Sequence, residues 1–389
     1  MLEKAFKGSI RYWTLVGVLL TIMAIGAVCY YIQFTQGLSV TGLSRDVSWG
    51  LYIGQFTFMV GVAASAVMVV LPYYLHDYKA FAKLVILGEC LAIPAVMMCM
   101  IFVAVDMGQP IRVTNVFLYP TPTSVMFWDI VSLSGYLVIN VVIAWVTFTA
   151  EYRGIAPPKW IKPIIILSIP WAVSIHTVTA MLYCGLSARP LWMSAVLAPR
   201  FLASAFSAGP SLLIILCLIV RTYTKFDPGT KAIQKLGTIV AYAMAINVFL
   251  FGMELFTALA PGMPHHTEQI LYMFSFSGLH GSGSSVAPVM WISAILGLGA
   301  MTALFFPKLR ANHTYLAMMA GAVFVSLWLE KGFVMLVTGY NPSPLHAINN
   351  YVPSLVEIGI AASIWAFGFL VLTVLFKTVI AVREQKEQV

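Results

Sequence analysis

The run Ser168-Ile-Pro-Trp-Ala-Val-Ser-Ile-His176-Thr-Val-Thr-Ala-Met181 sets one histidine inside an apolar segment from about Ile161 to Leu186, long enough to cross a bilayer at 1.5 Å per residue. His176 is the deepest histidine in the chain, about 15 Å below the outer end of its segment. A polar group in hydrocarbon costs several kcal/mol unless it is satisfied. Such an imidazole therefore marks a functional site or a hydrogen bond from one helix to the next. Ala172 and Ala180 lie a turn to either side on the same face, which leaves a flat ring room to approach. Pro170 is placed to kink the helix below. Glu254 sits about 9 Å below the outer end of its own segment. In apolar surroundings neither group is firmly held in its charged form, so both can exchange a proton near neutral pH. That suits oxidation of a quinol, where two electrons leave toward an acceptor and two protons must be taken up. The structural alternative pairs Glu254 with Lys331 or a serine.

Other polar groups gather toward the same outer end. Asp106-Met-Gly-Gln-Pro-Ile-Arg112 closes the third apolar segment; its Gly and Pro force a turn. Arg112, a rare outward cation, suits a partner's carboxylate or a salt bridge to Asp106 at the membrane edge. Trp49, Tyr52 and Gln55, with Trp128 and Asp129, would line the same outer mouth, although the aromatics also suit an interfacial belt. Adjacent Glu330 and Lys331 point different ways on a helix and each can find its own structural partner. Glu89 stands apart on the inner half of the third segment. It is either a step in a proton path from the cytoplasm or a neutral carboxyl bonded to a neighbouring helix.

Several cofactors are not expected. A b-type haem needs two deep axial ligands, whereas His76 and His313 fall at the inner surface and His265, His266, His280 and His346 in outer loops. Cys29, Cys90, Cys99, Cys184 and Cys217 form no C-x-x-C or C-x-x-C-H pattern, which argues against an intrinsic iron–sulfur cluster, c-type haem, metal site or disulfide framework. The Gly278-to-Ser285 loop lacks the lysine of a phosphate loop and reads as packing or a docking surface.

The elements that position these groups follow from composition. With 60% hydrophobic and 9% charged residues in 389, the chain is an all-α integral membrane protein forming one polytopic domain over residues 1–389. Windows of about 20 apolar residues give ten spans, near 12–34, 48–75, 81–106, 124–150, 161–186, 200–221, 236–260, 285–306, 313–338 and 353–377. The first follows Lys4, Lys7 and Arg11 but is too long for a signal peptide. Connections are short except around 107–123 and 261–284. Of the 22 lysines and arginines, only Arg45, Arg112, Arg189, Arg200 and Lys331 fall on one side. The positive-inside rule makes the other side, with both termini, cytoplasmic; the net charge of +8 is thus loop charge rather than a nucleic-acid footprint. Acids split by depth: Asp129, Glu254, Glu330 and Glu357 lie in the outer third of their spans, and only Glu89 lies inside a span on the inner half.

Five runs, taken in order, resemble the NrfD/PsrC family of quinone-interacting membrane subunits: Val47-Ser-Trp-Gly-Leu-Tyr-Ile-Gly54, the Asp106-x-Gly-x-Pro turn, Ser174-Ile-His176-Thr-Val, Glu254-Leu-Phe-Thr257 and Tyr351-Val-Pro-Ser-Leu-Val-Glu357. Within that family the likeness is to the DsrP-type subunits of DsrMKJOP complexes in sulfur-metabolising prokaryotes, including those of sulfate reduction. The resemblance implies two four-helix bundles, spans 2–5 and 6–9, flanked by spans 1 and 10. It implies no redox cofactor held by the chain, a menaquinone site near the outer face, and a docked ferredoxin-like iron–sulfur subunit (DsrO-like). A DsrJ-like multihaem cytochrome c and DsrM/DsrK-like subunits would complete the complex. It carries His176, Asp106 and Glu254 over as quinone-site or proton-handling residues. Family members often have arginine where this chain has Lys331, so a role for that cation does not carry over.

The expected activity is that of a non-autonomous menaquinol-oxidising or menaquinone-reducing subunit in a prokaryotic inner membrane. Quinone-site candidates are His176, Trp49, Tyr52, Gln55, Asp129 and Arg112; proton-path candidates are Glu89 and Glu254. The rivals are a secondary transporter or ion channel, which needs paired broken helices at the midplane and finds only Pro94 and Pro170 in mid-span, and a purely structural anchor.

Overall fold

The computed structural model describes residues 8–279, 281 and 283–386; Lys4, Lys7 and His280 lie outside the described residues. It contains ten helical segments long and apolar enough to cross a membrane. They are span 1 Ile10–Gln36, span 2 Leu51–Leu75, span 3 Ala82–Asp106, span 4 Val125–Arg153 and span 5 Ile161–Cys184. Span 6 is Leu197–Tyr223, span 7 Thr230–Leu259, span 8 Ala287–Phe305, span 9 His313–Gly339 and span 10 Leu355–Lys386. Helices are forced here because hydrocarbon offers the backbone no partner other than itself. The expected boundaries hold to within a few residues at most ends. Span 7 begins earlier and span 10 ends later, because lysines closed the apolar windows without stopping the helices. Pro94 and Pro170 lie inside unbroken helices. The departures from α geometry are a 3₁₀ turn, Ala64–Ala66, in span 2 and a π turn, Glu330–Val334, in span 9.

Spans 2, 3, 4 and 5 pack each on the next, with 5 closing on 2; spans 6 to 9 close in the same way. Span 2 rests on spans 6 and 9 and so joins the two bundles, while span 1 pairs with span 10, which leans on span 3. Span 2 is apolar on every face, as a helix surrounded by others must be. Its one polar hub, Gln55, accepts from Trp328 Nε1 at 2.7 Å and Trp365 Nε1 at 2.9 Å and donates to the Gly332 carbonyl at 3.4 Å. One satisfied amide thereby ties spans 2, 9 and 10.

Every connection at one end, 37–50, 107–124, 185–196, 260–286 and 340–354, is longer than those at the other; the first end is termed outer, after the charge bias. It is knit by Glu357, which accepts from Gly42 N at 2.6 Å, Ser354 N at 2.8 Å and Tyr351 Oη at 2.6 Å. Burial and that carboxylate push the Tyr351 phenol far above its usual value, so it stays a donor. At the inner end Arg383 of span 10 pairs with Glu151 of span 4 at 2.7 Å and donates to the Lys83 carbonyl at 2.8 Å.

The two bundles approach closely where span 2 meets the π turn: a Cβ on Gly54 would collide with the Gly332 carbonyl oxygen. Gly54→Ala is expected to cost about 1–3 kcal/mol through overpacking, read as earlier thermal unfolding in detergent. Gly321→Ala, whose added Cβ meets nothing, should leave the transition unchanged or raise it slightly. Equal behaviour of the two variants would contradict the packing.

Candidate functional site

The polar groups that a bilayer tolerates least converge between the bundles. Arg200 of span 6 is 4% exposed. Its Nη1 pairs with Glu254 of span 7 and its Nη2 with Glu330 of span 9. The guanidinium lies 4.2 Å from the Phe251 ring centroid. Lys331 lies 3.9 Å over the Phe201 ring. Glu330 and Lys331 are adjacent yet both buried because they open the π turn, whose extra residue swings consecutive side chains toward the interior. Two cations and two carboxylates thus sit together with no net charge, the condition on which buried ions are held. Arg200 Nε and Glu254 Oε1 keep no hydrogen-bond partner and border a cavity of about 10 Å³, room for one water.

His176 faces the other side of Lys331. Its Nδ1–H donates to the Ala172 carbonyl at 2.9 Å, which leaves the Nε2 lone pair directed inward. Nε2 has no partner, and His176 lines a second cavity of about 10 Å³ with Thr57, Ser204 and Lys331. A single water there would have polar neighbours to bridge. Thr57 shares a short hydroxyl contact with Tyr183. Tyr183 packs edge-on against Trp49 at 5.6 Å and Trp192 at 5.0 Å. An aromatic cap therefore closes the outer end, with Arg189 stacked 4.2 Å over Tyr340 on top.

A larger opening lies beside span 1. A cleft of about 100 Å³ is walled by Tyr30, Phe34 and Leu38 on one side and Met107, Pro110 and Ile111 on the other. Gln33 lies in it; its Nε2 donates to the Val105 carbonyl at 2.7 Å and its Oε1 accepts from Tyr52 Oη at 2.7 Å. Asp106, next to Met107, has a buried Oδ1 with no hydrogen-bond partner and stands within electrostatic reach of Tyr52. Apolar walls with a few polar groups, Gln33 and Gln109 among them, fit the headgroup of a quinone. The one-water cavity at His176 does not fit a ring.

Residues 39–343 match the family described as polysulphide reductase, NrfD. The chain belongs to the NrfD family. A putative dimethyl sulfoxide reductase membrane subunit of Halobacterium salinarum is 24% identical, over 93% of this chain and 89% of that protein. The Hdr-like menaquinol oxidoreductase integral membrane subunit of Archaeoglobus fulgidus is also 24% identical, over 90% and 88%. A selenate reductase subunit of Mesobacillus selenatarsenatis is 23% identical, over 95% and 94%. Among solved structures, the bd oxidase from Geobacillus thermodenitrificans shares the helix arrangement, with a TM-score of 0.53 and 8% identity over 94% of this chain and 98% of that one; the likeness speaks to fold alone. This NrfD chain is thus a multi-pass prokaryotic membrane protein.

The structure gathers some of the expected residues and separates others. His176 borders the buried charge cluster to which Glu254 belongs, but Glu254 pairs with Arg200, not with Lys331 or a serine. The room for a flat ring at His176 is absent: the histidine is 2% exposed and enclosed by spans 2, 6 and 9. Trp49, Tyr52, Gln55 and Asp129 do not line an open mouth. Trp49 is part of the cap, Tyr52 and Gln55 are core residues with satisfied side chains, and Asp129 accepts from Thr179 Oγ1 at 2.7 Å. Trp128 is 50% exposed and donates to the Pro122 carbonyl. Asp106 and Arg112 form no ion pair among the described residues; Arg112 is exposed, and the turn carries it away from the carboxyl. Both Glu89 carboxyl oxygens are buried without a partner, so the bond to a neighbouring helix is not formed. Among the described residues no cluster of three or more metal-type side chains occurs.

Arg200 escaped sequence reasoning because it stood at the expected start of span 6 and read as an outer-side cation; the helix begins a turn earlier and buries it. Gln33 and Tyr30 escaped because span 1 showed no polar pattern beyond one amide. Removing the guanidinium alone leaves two buried carboxylates facing each other. Arg200→Met is expected to cost about 3–5 kcal/mol in detergent unfolding, and adding Glu254→Gln with Glu330→Gln should recover most of it. A triple variant no better than Arg200→Met would contradict the pairing.

Proposed function

We propose that this NrfD chain is the quinone-interacting membrane subunit of a multi-subunit oxidoreductase. In that role it exchanges electrons between the menaquinone pool and an iron–sulfur partner at the outer face, with both termini cytoplasmic. What supports this role is the cleft between span 1 and the 107–111 turn, which combines apolar walls with Gln33; Asp106, adjacent in sequence to its Met107 wall, keeps an unpartnered Oδ1. The menaquinol oxidoreductase subunit among the relatives supports the same substrate class. Menaquinol, when bound, supplies two electrons and two protons. Tyr30, Phe34, Leu38 and Ile111 grip a flat ring by its faces, and Gln33 fixes its edge. Asp106 takes one proton at Oδ1, and the second leaves to water at the outer face. His176 Nε2, through the hydroxyls of Thr57 and Tyr183, serves as a buried proton relay and not as a ring contact. Next to the cleft, Phe117, Leu118 and Tyr119 are 57–74% exposed, an apolar face suited to an iron–sulfur subunit. In the narrower form of the proposal that subunit is DsrO-like, with DsrJ-like cytochrome and DsrM/DsrK-like companions, as in sulfur-metabolising complexes. The neutral Arg200, Glu254, Glu330 and Lys331 set favours a second reading, proton translocation through the interface between the bundles.

Quenching of a fluorescent hydroxyquinoline N-oxide quinol analogue tests the assignment. Ile111→Trp, which fills the cleft, should abolish saturable quenching; His176→Ala should retain it. Asp106→Asn should bind the analogue yet slow menaquinol-dependent reduction of the co-purified iron–sulfur subunit by roughly a hundredfold. Unaltered quenching in Ile111→Trp would move the headgroup elsewhere, and no quenching in the parent protein would favour an anchor or transporter.

A further inference from the structure

Span 7 runs for 30 residues, about 45 Å, whereas the hydrocarbon layer is about 30 Å thick. The surplus lies at the inner end, where Lys231 and Lys235 occupy its first turns. These lysines are one turn apart on a single face, and Thr238 continues the face. Opposite them, the short connection between spans 8 and 9 brings Arg310, whose Nη1 is pinned by donation to the Leu304 carbonyl at 2.6 Å. Gln234 ties the two sides by donating to the Ala311 carbonyl at 3.3 Å. The hollow between them has a volume of about 340 Å³, and Tyr78 from the connection between spans 2 and 3 closes its edge.

The charge of this hollow is uncompensated. Among the described residues Lys231, Lys235 and Arg310 form no ion pair with a carboxylate, and the nearby acids are engaged: Asp77 with Lys79 at 3.8 Å and Asp227 with Arg221 at 3.6 Å. The apolar continuation is equally specific. Below Thr238 the same face of span 7 presents Tyr242, Ile246 and Phe249, which are 61%, 54% and 65% exposed. Tyr242 packs against Phe305 of span 8 with centroids 5.4 Å apart. A basic hollow at headgroup depth, leading into an exposed apolar strip along the membrane normal, has the two-part chemistry of a phospholipid. A free phosphate would use only the upper part.

We infer that Lys231, Lys235 and Arg310, with Thr238 and Gln234, form a site for the phosphodiester headgroup of an anionic phospholipid, whose acyl chains cover the Tyr242, Ile246 and Phe249 strip. The bound lipid bridges span 7 to the connection between spans 8 and 9, and so clamps the second bundle at its inner end. This site is separate from the outer cleft and does not depend on the quinone assignment.

Native mass spectrometry of the purified full chain, with phosphatidylglycerol, phosphatidylcholine or inorganic phosphate added, provides the test. The parent protein should retain a phosphatidylglycerol adduct in preference to phosphatidylcholine, and excess inorganic phosphate should not displace it. Lys231→Gln with Lys235→Gln, a change of two exposed side chains, should weaken retention by about tenfold or more. Lys159→Gln with Lys162→Gln, an equal charge loss elsewhere on the inner surface, should not. Equal loss in both double variants, equal retention of the two lipids, or displacement by phosphate would each overturn the inference.

Discussion

A guanidinium in hydrocarbon survives only when carboxylates meet it and the remaining surface is apolar or aromatic. Arg200 satisfies that demand by dividing its two terminal nitrogens between Glu254 and Glu330 and setting its guanidinium over the Phe251 ring. Because Arg200, Glu254 and Glu330 come from spans 6, 7 and 9, the requirement fixes the rotation of each helix about its axis. The π turn in span 9 follows from the same demand: an α-helical path would swing Lys331 or Glu330 out of the interior, toward lipid. The close meeting of Gly54 with Gly332, and the Gln55 amide held by two tryptophans, then seat span 2 against that turn.

The cluster also separates two environments. On one side His176, Lys331, Thr57 and Ser204 border a cavity fit for a single water, under an aromatic cap. On the other, Arg200, Glu254 and Glu330 border a second cavity of the same size. Such spaces hold a single water and are too small for an organic ring. The wider opening is beside span 1, the helix with the least buried surface, where entry from lipid displaces few packed side chains. Under the proposed function, proton handling in the interior and substrate access at the periphery are thereby kept apart.

Much of this could be read from the amino-acid sequence, for a physical reason: the bilayer imposes a length and a polarity on every crossing helix, so ten spans and the depth of His176 follow from local composition. Glu254 was also legible as a group costly to bury. What stayed hidden depends on pairing between distant segments. Arg200 at a helix end carries the same local signature as a loop cation, and its two carboxylates lie 54 and 130 residues away. Tyr52 carries the signature of an interfacial belt and Gln55 that of an outer mouth, and only the placement of span 2 between the bundles makes them core residues. The early start of span 7 was masked by its own lysines.

The central claim is that the quinone headgroup enters beside span 1 while His176 stays walled in. A cryo-EM map of the intact complex in lipid nanodiscs, with a tightly bound quinol analogue, tests it most directly. The account predicts ring density between Tyr30, Phe34 and the 107–111 turn, within hydrogen-bond reach of Gln33 or Asp106, and a closed ring of side chains around His176. Ring density against His176 Nε2, with the Trp49, Tyr183 and Trp192 cap displaced, would contradict it.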